Sequence, residues 1–187
     1  MITPSRLLVF GFALLFASLP AAANAAGFAI TAAGMADDAV MATDMAFNKA
    51  DGKGVPCGGT NRAPSLTWSG APANTASYAI LEVDPGGAGG AGVNHWVIYN
   101  IPASATGISG AEVADGKYTP GRGSGDLVGY RGPCPPIGDL PHHYVFTLLA
   151  LDAPPTFAAG LDHDGLLAAM KGHVLGTTSL VTRFQRM

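Results

Sequence analysis

Ser77–Val83 reads SYAILEV and His95–Ile101 reads HWVIYNI, and these two runs decide the fold. Both have strand length, both are rich in β-branched and aromatic residues, and turn-forming residues bound them. Between them, Gly86–Gly92 reads as a flexible loop. A third run, His143–Leu151 (HYVFTLLAL), predicts another strong strand, expected at the centre of a sheet. Working outward, Phe28–Thr31 and Ser65–Trp68 predict short strands, and Thr177–Phe184 returns to strand character. Asn48–Asn61 and Gly121–Gly138 are Gly-rich and read as loops. A helix is expected over Gly165–Lys171, with Leu166, Leu167 and Met170 on one face and Asp164 as its cap. The fold class is therefore mainly β, an antiparallel β-fold with one or two peripheral helices.

The first residues stand apart from that pattern. Arg6 precedes an uncharged apolar run, Leu7–Leu19, followed by Pro20 and the small residues Ala21–Ala26. This order describes a secretory signal peptide spanning residues 1–25, with Ala23-Asn24-Ala25 at the cleavage site. The rival is a membrane anchor, for which the run is shorter than the ~20 residues that a spanning helix needs. A secreted or periplasmic location is expected, with no integral membrane segment after cleavage. No Cys lies near the cleavage site to carry a lipid. Residues 26–187 form a single domain, a normal size for one core. Ten Lys and Arg stand against thirteen Asp and Glu, with no basic cluster to follow a phosphate backbone. Nucleic acid is not an expected partner.

Two cysteines, Cys57 and Cys134, both fall in the exported part. An even count in an oxidising compartment suggests one disulfide. Two free buried thiols are the alternative.

Several familiar strings carry no chemistry here. Gly87-x-Gly89-x-x-Gly92 follows a strand, as a dinucleotide-binding loop would, but a strand and not a helix comes next. Gly121–Gly125 (GRGSG) lacks the spacing of a nucleophile elbow, and Asp162-His163-Asp164 lacks the remaining ligands of a calcium loop. Two cysteines are too few for a Cys₄ zinc site. No cofactor and no metal are expected.

Four segments do carry a signal. They are Cys57–Trp68 (CGGTNRAPSLTW), Asp84-Pro85 with His95–Pro102 (HWVIYNIP), Gly129–Gly138 (GYRGPCPPIG) and His142–Phe146 (HHYVF). Asp84 ends one strand and His95 begins the next, so both lie at strand mouths. On a strand, residues two apart share a face, so His142 and Tyr144 point together while His143 points away. One carboxylate, two imidazoles and a phenol then converge beside a Gly/Pro loop. Imidazolium, phenol O–H and backbone N–H groups all donate to an anion. The carboxylate is expected to orient His95 and raise its protonated fraction, and it can equally meet a ligand's ammonium group. Singly, each residue also has an ordinary role in a turn or at a strand edge.

Together, in this order, the segments resemble the phosphatidylethanolamine-binding proteins, which include the Raf kinase inhibitor proteins, and most nearly their bacterial branch. The likeness runs from about Cys57 to Leu151. It implies a large central antiparallel sheet, a smaller second sheet, a peripheral C-terminal helix and a pocket for phosphate or phosphorylated head groups. Carried over by position, the pocket residues are Asp84, His95, Tyr130, Gly132, Cys134, Pro135, His142 and Tyr144. The chain departs from the family pattern at Gly86, where a second Asp is usual, and at His143, where Arg is usual. The first departure bears on recognition of an amine.

Three functions follow. The favoured one is a non-enzymatic binding protein for a small anion or phosphorylated ligand. The alternative is an inhibitor or regulator of a protein partner, such as a protease. A hydrolase comes last, because the motifs contain neither an activated nucleophile nor a metal set.

Overall fold

The computed structural model describes residues 27–187. The leader assigned to residues 1–25 lies outside them. Among the described residues nine strands form two sheets: β1 (Ala29–Ala32), β2 (Ala39–Val40), β3 (Leu66–Ser69), β4 (Ser77–Asp84), β5 (Val93–Pro102), β6 (Gly107–Ile108), β7 (Thr119–Pro120), β8 (His142–Leu151) and β9 (Val174–Phe184). The large sheet runs β2-β9-β8-β4-β5-β7 and the small one β1-β3-β6. Every pairing is antiparallel except that of the two-residue edge strand β2, which lies parallel to β9.

The apolar run in β4 has a simple cause: this strand is covered on both faces. Tyr78 and Ile80 face the small sheet and pack with Trp68, Leu66, Ile98, Phe146 and Leu148. Ala79 and Leu81 face the other way and pack with Val97, Tyr99, Leu149 and Leu151 beneath Leu166 and Met170. A strand buried on both sides shows a continuous hydrophobic run in place of alternation.

Leu166 belongs to α3 (His163–Ala169), whose N-cap is Asp162, not Asp164. The Asp162 side chain accepts from the Gly165 backbone N–H, whereas Asp164 sits inside the first turn. Besides the 3₁₀ turns Thr43–Met45 and Ser124–Asp126, the described residues hold two shorter helical segments. One is α2 (Gly110–Ala114), closed by a Ser109/Glu112 capping box. The other is α1 (Gly87–Gly90), a tight turn within the expected loop Gly86–Gly92, with Ala88 and Gly89 in the left-handed region.

Cys57 and Cys134 form a disulfide, with Cα atoms 5.2 Å apart. It ties the segment before β3 to the loop before β8. That loop is held from other sides as well. Asn61 Nδ2 donates to the Tyr130 carbonyl and its Oδ1 accepts from Gly132 N, while Phe47 N donates to the Pro133 carbonyl. Near the C-terminus, Arg186 Nε donates to the Pro135 carbonyl at 2.6 Å. Arg186 also pairs with Asp51, whose carboxyl is held down at about 2 chiefly by that hydrogen bond.

Candidate functional site

The end of β4, β5, the start of β8 and the disulfide-bonded loop enclose a cavity of about 200 Å³. Six of the residues carried over from the sequence line it: Asp84, His95, Cys134, Pro135, His142 and Tyr144. His143, opposite Arg183 of β9, is exposed and outside this lining.

Tyr130 and Gly132 lie behind the wall. The Tyr130 ring packs edge-on against Trp96, and its hydroxyl donates to the Met45 carbonyl. Gly132 is pressed so closely on Met45–Phe47 that an added Cβ would fall 2.0 Å from the Met45 oxygen. Both residues shape the loop from outside the cavity.

Arg131, between them, does line the cavity, and the sequence reading passed over it. Its guanidinium sits 5.4 Å from the centre of the Phe47 ring, within cation–π range. The signal available was that Arg131 is the single charged residue of the Gly129–Gly138 motif.

Asp84 is nearly sealed from solvent, so its charge needs partners. Oδ1 accepts from Gly86 N at 2.9 Å and Gly87 N at 3.0 Å, and Oδ2 accepts from His142 Nδ1 at 2.6 Å. Glycine at 87 permits this turn: a Cβ there would meet Val93 Cγ2 at 2.6 Å and Asp84 Oδ2 at 3.0 Å.

The two histidines differ sharply. Burial alone would lower the pKa of His142, but the hydrogen bond and charge of Asp84, helped by Asp139 at 3.4 Å, outweigh it and raise the value. His95 is 4% exposed, and its ring meets that of Tyr144 edge to face at 5.1 Å. Its Nδ1 lies 2.8 Å from the Arg131 carbonyl, while Arg131 N donates back to the His95 carbonyl at 2.9 Å. Burial pulls the His95 pKa down to about 4, overcoming the bond to Arg131 and the charge of Asp84. Asp84 does push His95 toward its charged form, as expected, but burial outweighs that push, so the gain in protonated fraction expected from the sequence does not follow. Asp84 bonds to the other histidine, and desolvation keeps His95 neutral.

Two buried polar atoms of lining residues have no partner among the described residues: the Tyr144 hydroxyl and Arg131 Nε. Behind the cavity, Glu82 lies fully buried between Trp96 and Phe146 on the neighbouring strands, and both its carboxyl oxygens are also unpartnered. Burial, then the charge of Asp84, raises its pKa well above the usual carboxylate range, which favours the protonated, neutral form. Among the described residues, no group of three or more His, Cys, Asp or Glu is arranged to hold a metal ion.

Comparison with known proteins agrees with this architecture. The family model for phosphatidylethanolamine-binding protein matches residues 19–185. A UPF0098 protein of Methanothermobacter thermautotrophicus is 40% identical over 135 residues, covering 70% of this chain and 87% of its own. The UPF0098 protein YbcL of Escherichia coli is 38% identical over 166 residues, covering 86% of each chain. The crystal structure of E. coli YbcL, described as a new member of the mammalian PEBP family, superposes with a TM-score of 0.76 at 31% identity, covering 87% of this chain and all of that one. A homologue from Chlamydia trachomatis, 23% identical, shares the fold with a TM-score of 0.72 over 86% of this chain and 99% of its own. With its paired sheets and disulfide-held pocket loop, the chain belongs to the phosphatidylethanolamine-binding protein family.

Proposed function

We propose that this is an exported binding protein whose cavity takes up a small oxyanion or the phosphoryl end of a small ligand. The observation that carries the reading is the state of the polar groups around the cavity. The Tyr144 hydroxyl and Arg131 Nε are buried donors without partners, and each unmet donor costs about 1–3 kcal/mol. An oxyanion would satisfy both, and the Arg131 guanidinium supplies charge. The acid in the lining does not oppose this, because Asp84 is occupied by two backbone N–H groups and by His142. Gly86 leaves no second carboxylate there to recognise an ammonium group. Phosphate is therefore the better-matched half of a phosphoethanolamine-like ligand.

Binding fits the lining better than covalent catalysis does. Cys134 is held in a disulfide, so its sulfur is no nucleophile. A protein-partner role remains the second reading. It is favoured by Ile137 and Leu140, two large apolar side chains exposed on the loop beside the cavity.

Calorimetric titration of inorganic phosphate into the wild type and Arg131→Ala separates the two readings. Loss of a charge-assisted hydrogen bond typically costs about 1.5–3 kcal/mol, so the variant is expected to bind about ten- to a hundredfold more weakly. Equal affinity in both proteins would reject the cavity as an anion site and turn attention to the apolar loop.

A further inference from the structure

The lining contains donors, but it also contains an acceptor, and that narrows the class of ligand. His95 Nδ1 lies 2.8 Å from the Arg131 carbonyl oxygen. A carbonyl can only accept, so Nδ1 carries the proton in either charge state of the ring. The other nitrogen, Nε2, makes no hydrogen bond among the described residues, and the residue lines the cavity. In a neutral imidazole so oriented, Nε2 presents a bare lone pair.

The surroundings hold the ring in that neutral form. It is buried in the wall, with the Arg131 guanidinium on the loop side and His142 on the β8 side, both opposing a second positive charge. Asp84, on β4, is the opposing negative group, and its oxygens already accept from Gly86, Gly87 and His142. Tyr144 contributes a ring edge-to-face contact.

A fully deprotonated oxyanion would set its own lone pairs against Nε2. An oxyanion with one hydroxyl would accept from Arg131 and Tyr144 and donate to His95. We infer that the cavity selects oxyanions that keep an O–H, namely inorganic phosphate or the monoanion of a phosphate monoester, over sulfate and phosphodiesters, through donation from the ligand hydroxyl to His95 Nε2. The inference rests on the anion reading above and adds a selectivity to it. It also disfavours an intact phospholipid head group, because a phosphodiester carries no such proton.

The test is a comparison of inorganic phosphate, sulfate and dimethyl phosphate on the wild-type protein at neutral pH, by calorimetry. Loss of a hydrogen bond between a charged ligand and Nε2 leads to an expected preference for phosphate of about ten- to a hundredfold over the other two. Sulfate binding as tightly as phosphate overturns the selectivity while leaving the anion site standing. If none of the three binds, the anion reading itself falls, and the selectivity falls with it. His95→Gln sharpens the result, because an amide offers a donor as well as an acceptor. The phosphate-to-sulfate ratio should then collapse toward one. A ratio unchanged in a folded variant would also overturn the inference.

Discussion

The inner wall of the cavity and its rim each hold a histidine, and the two obey opposite rules. At the rim, His142 sits between Asp84 and Asp139, and paired carboxylates favour its charged form. On the inner wall, His95 sits against Tyr144 and a backbone carbonyl, and burial favours its neutral form. The same residue type, two strands apart in one cavity, is therefore pushed toward its charged form in one place and toward its neutral form in the other. A histidine's role is decided by what the chain packs around it.

The strongest way to break this contrast is to release the loop that supplies the Arg131 carbonyl. Closing a loop across a sequence separation of 77 residues stabilises the fold by about 4 kcal/mol in the chain-entropy model. Cys57→Ser with Cys134→Ser should lower the unfolding free energy by about that amount, measured by denaturant titration. If the loop holds the tautomer of His95, the imidazole ¹⁵N shifts of His95 should change while those of His142 stay. Equal changes at both would show that wall and rim are one mechanical unit.

Proton linkage tests the contrast directly. The folded-state pKa of His95, about 4, lies below the ordinary value of about 6.5, so the unfolded chain takes up a proton first as pH falls. Its stabilising contribution is complete above pH ~6.5 and is lost as pH falls toward ~4, by about 3 kcal/mol in all. His95→Gln should remove that slope from a plot of unfolding free energy against pH. His142 runs the other way. Its raised pKa means that its contribution is present below the unfolded value and lost as pH rises through the folded one. In an NMR titration, His142 should therefore titrate above the ordinary range and His95 should stay neutral at pH 6. Anion affinity should accordingly gain charge from one histidine, not two, between about pH 8 and 6.

The smallest effect belongs to Glu82, behind the inner wall. A fully buried acid with no partner for either oxygen is a cost to the fold, and Glu82→Leu should stabilise by about 1–3 kcal/mol. Because the folded-state pKa is raised, the wild type should lose stability as pH rises through that value, and the Leu variant should lose less. A destabilised Glu82→Leu would mean that the carboxyl has partners, such as buried water, that make it part of the wall.

Much of this architecture can be read without coordinates. The runs in Ser77–Val83, His95–Ile101 and His143–Leu151 carry their own strand signal, and they became β4, β5 and β8. The pairing of Cys57 with Cys134 follows from their being the chain's two cysteines. Six of the eight carried-over site residues line one cavity, because motifs at strand mouths are local in sequence. Other features were out of reach. Arg131 is one cation among several in the chain until the disulfide and Asn61 hold its loop across β5. Tyr130 and Gly132 resemble their neighbours in the motif, yet they face Trp96 and Met45. Asp162 and Asp164 are equivalent as caps until the backbone turn selects one.

Hydrophobic pattern and motif order are properties of the chain alone, so the strand runs and the residue types at the site are legible before folding, and the cysteine count points to one bridge. Which histidine Asp84 pairs with, which is held toward its neutral form, and the burial of Glu82 without a partner are settled by the packing of the folded chain. Those outcomes depend on desolvation and on contacts between strands far apart in sequence. Such quantities exist only once the sheet has closed over its charges.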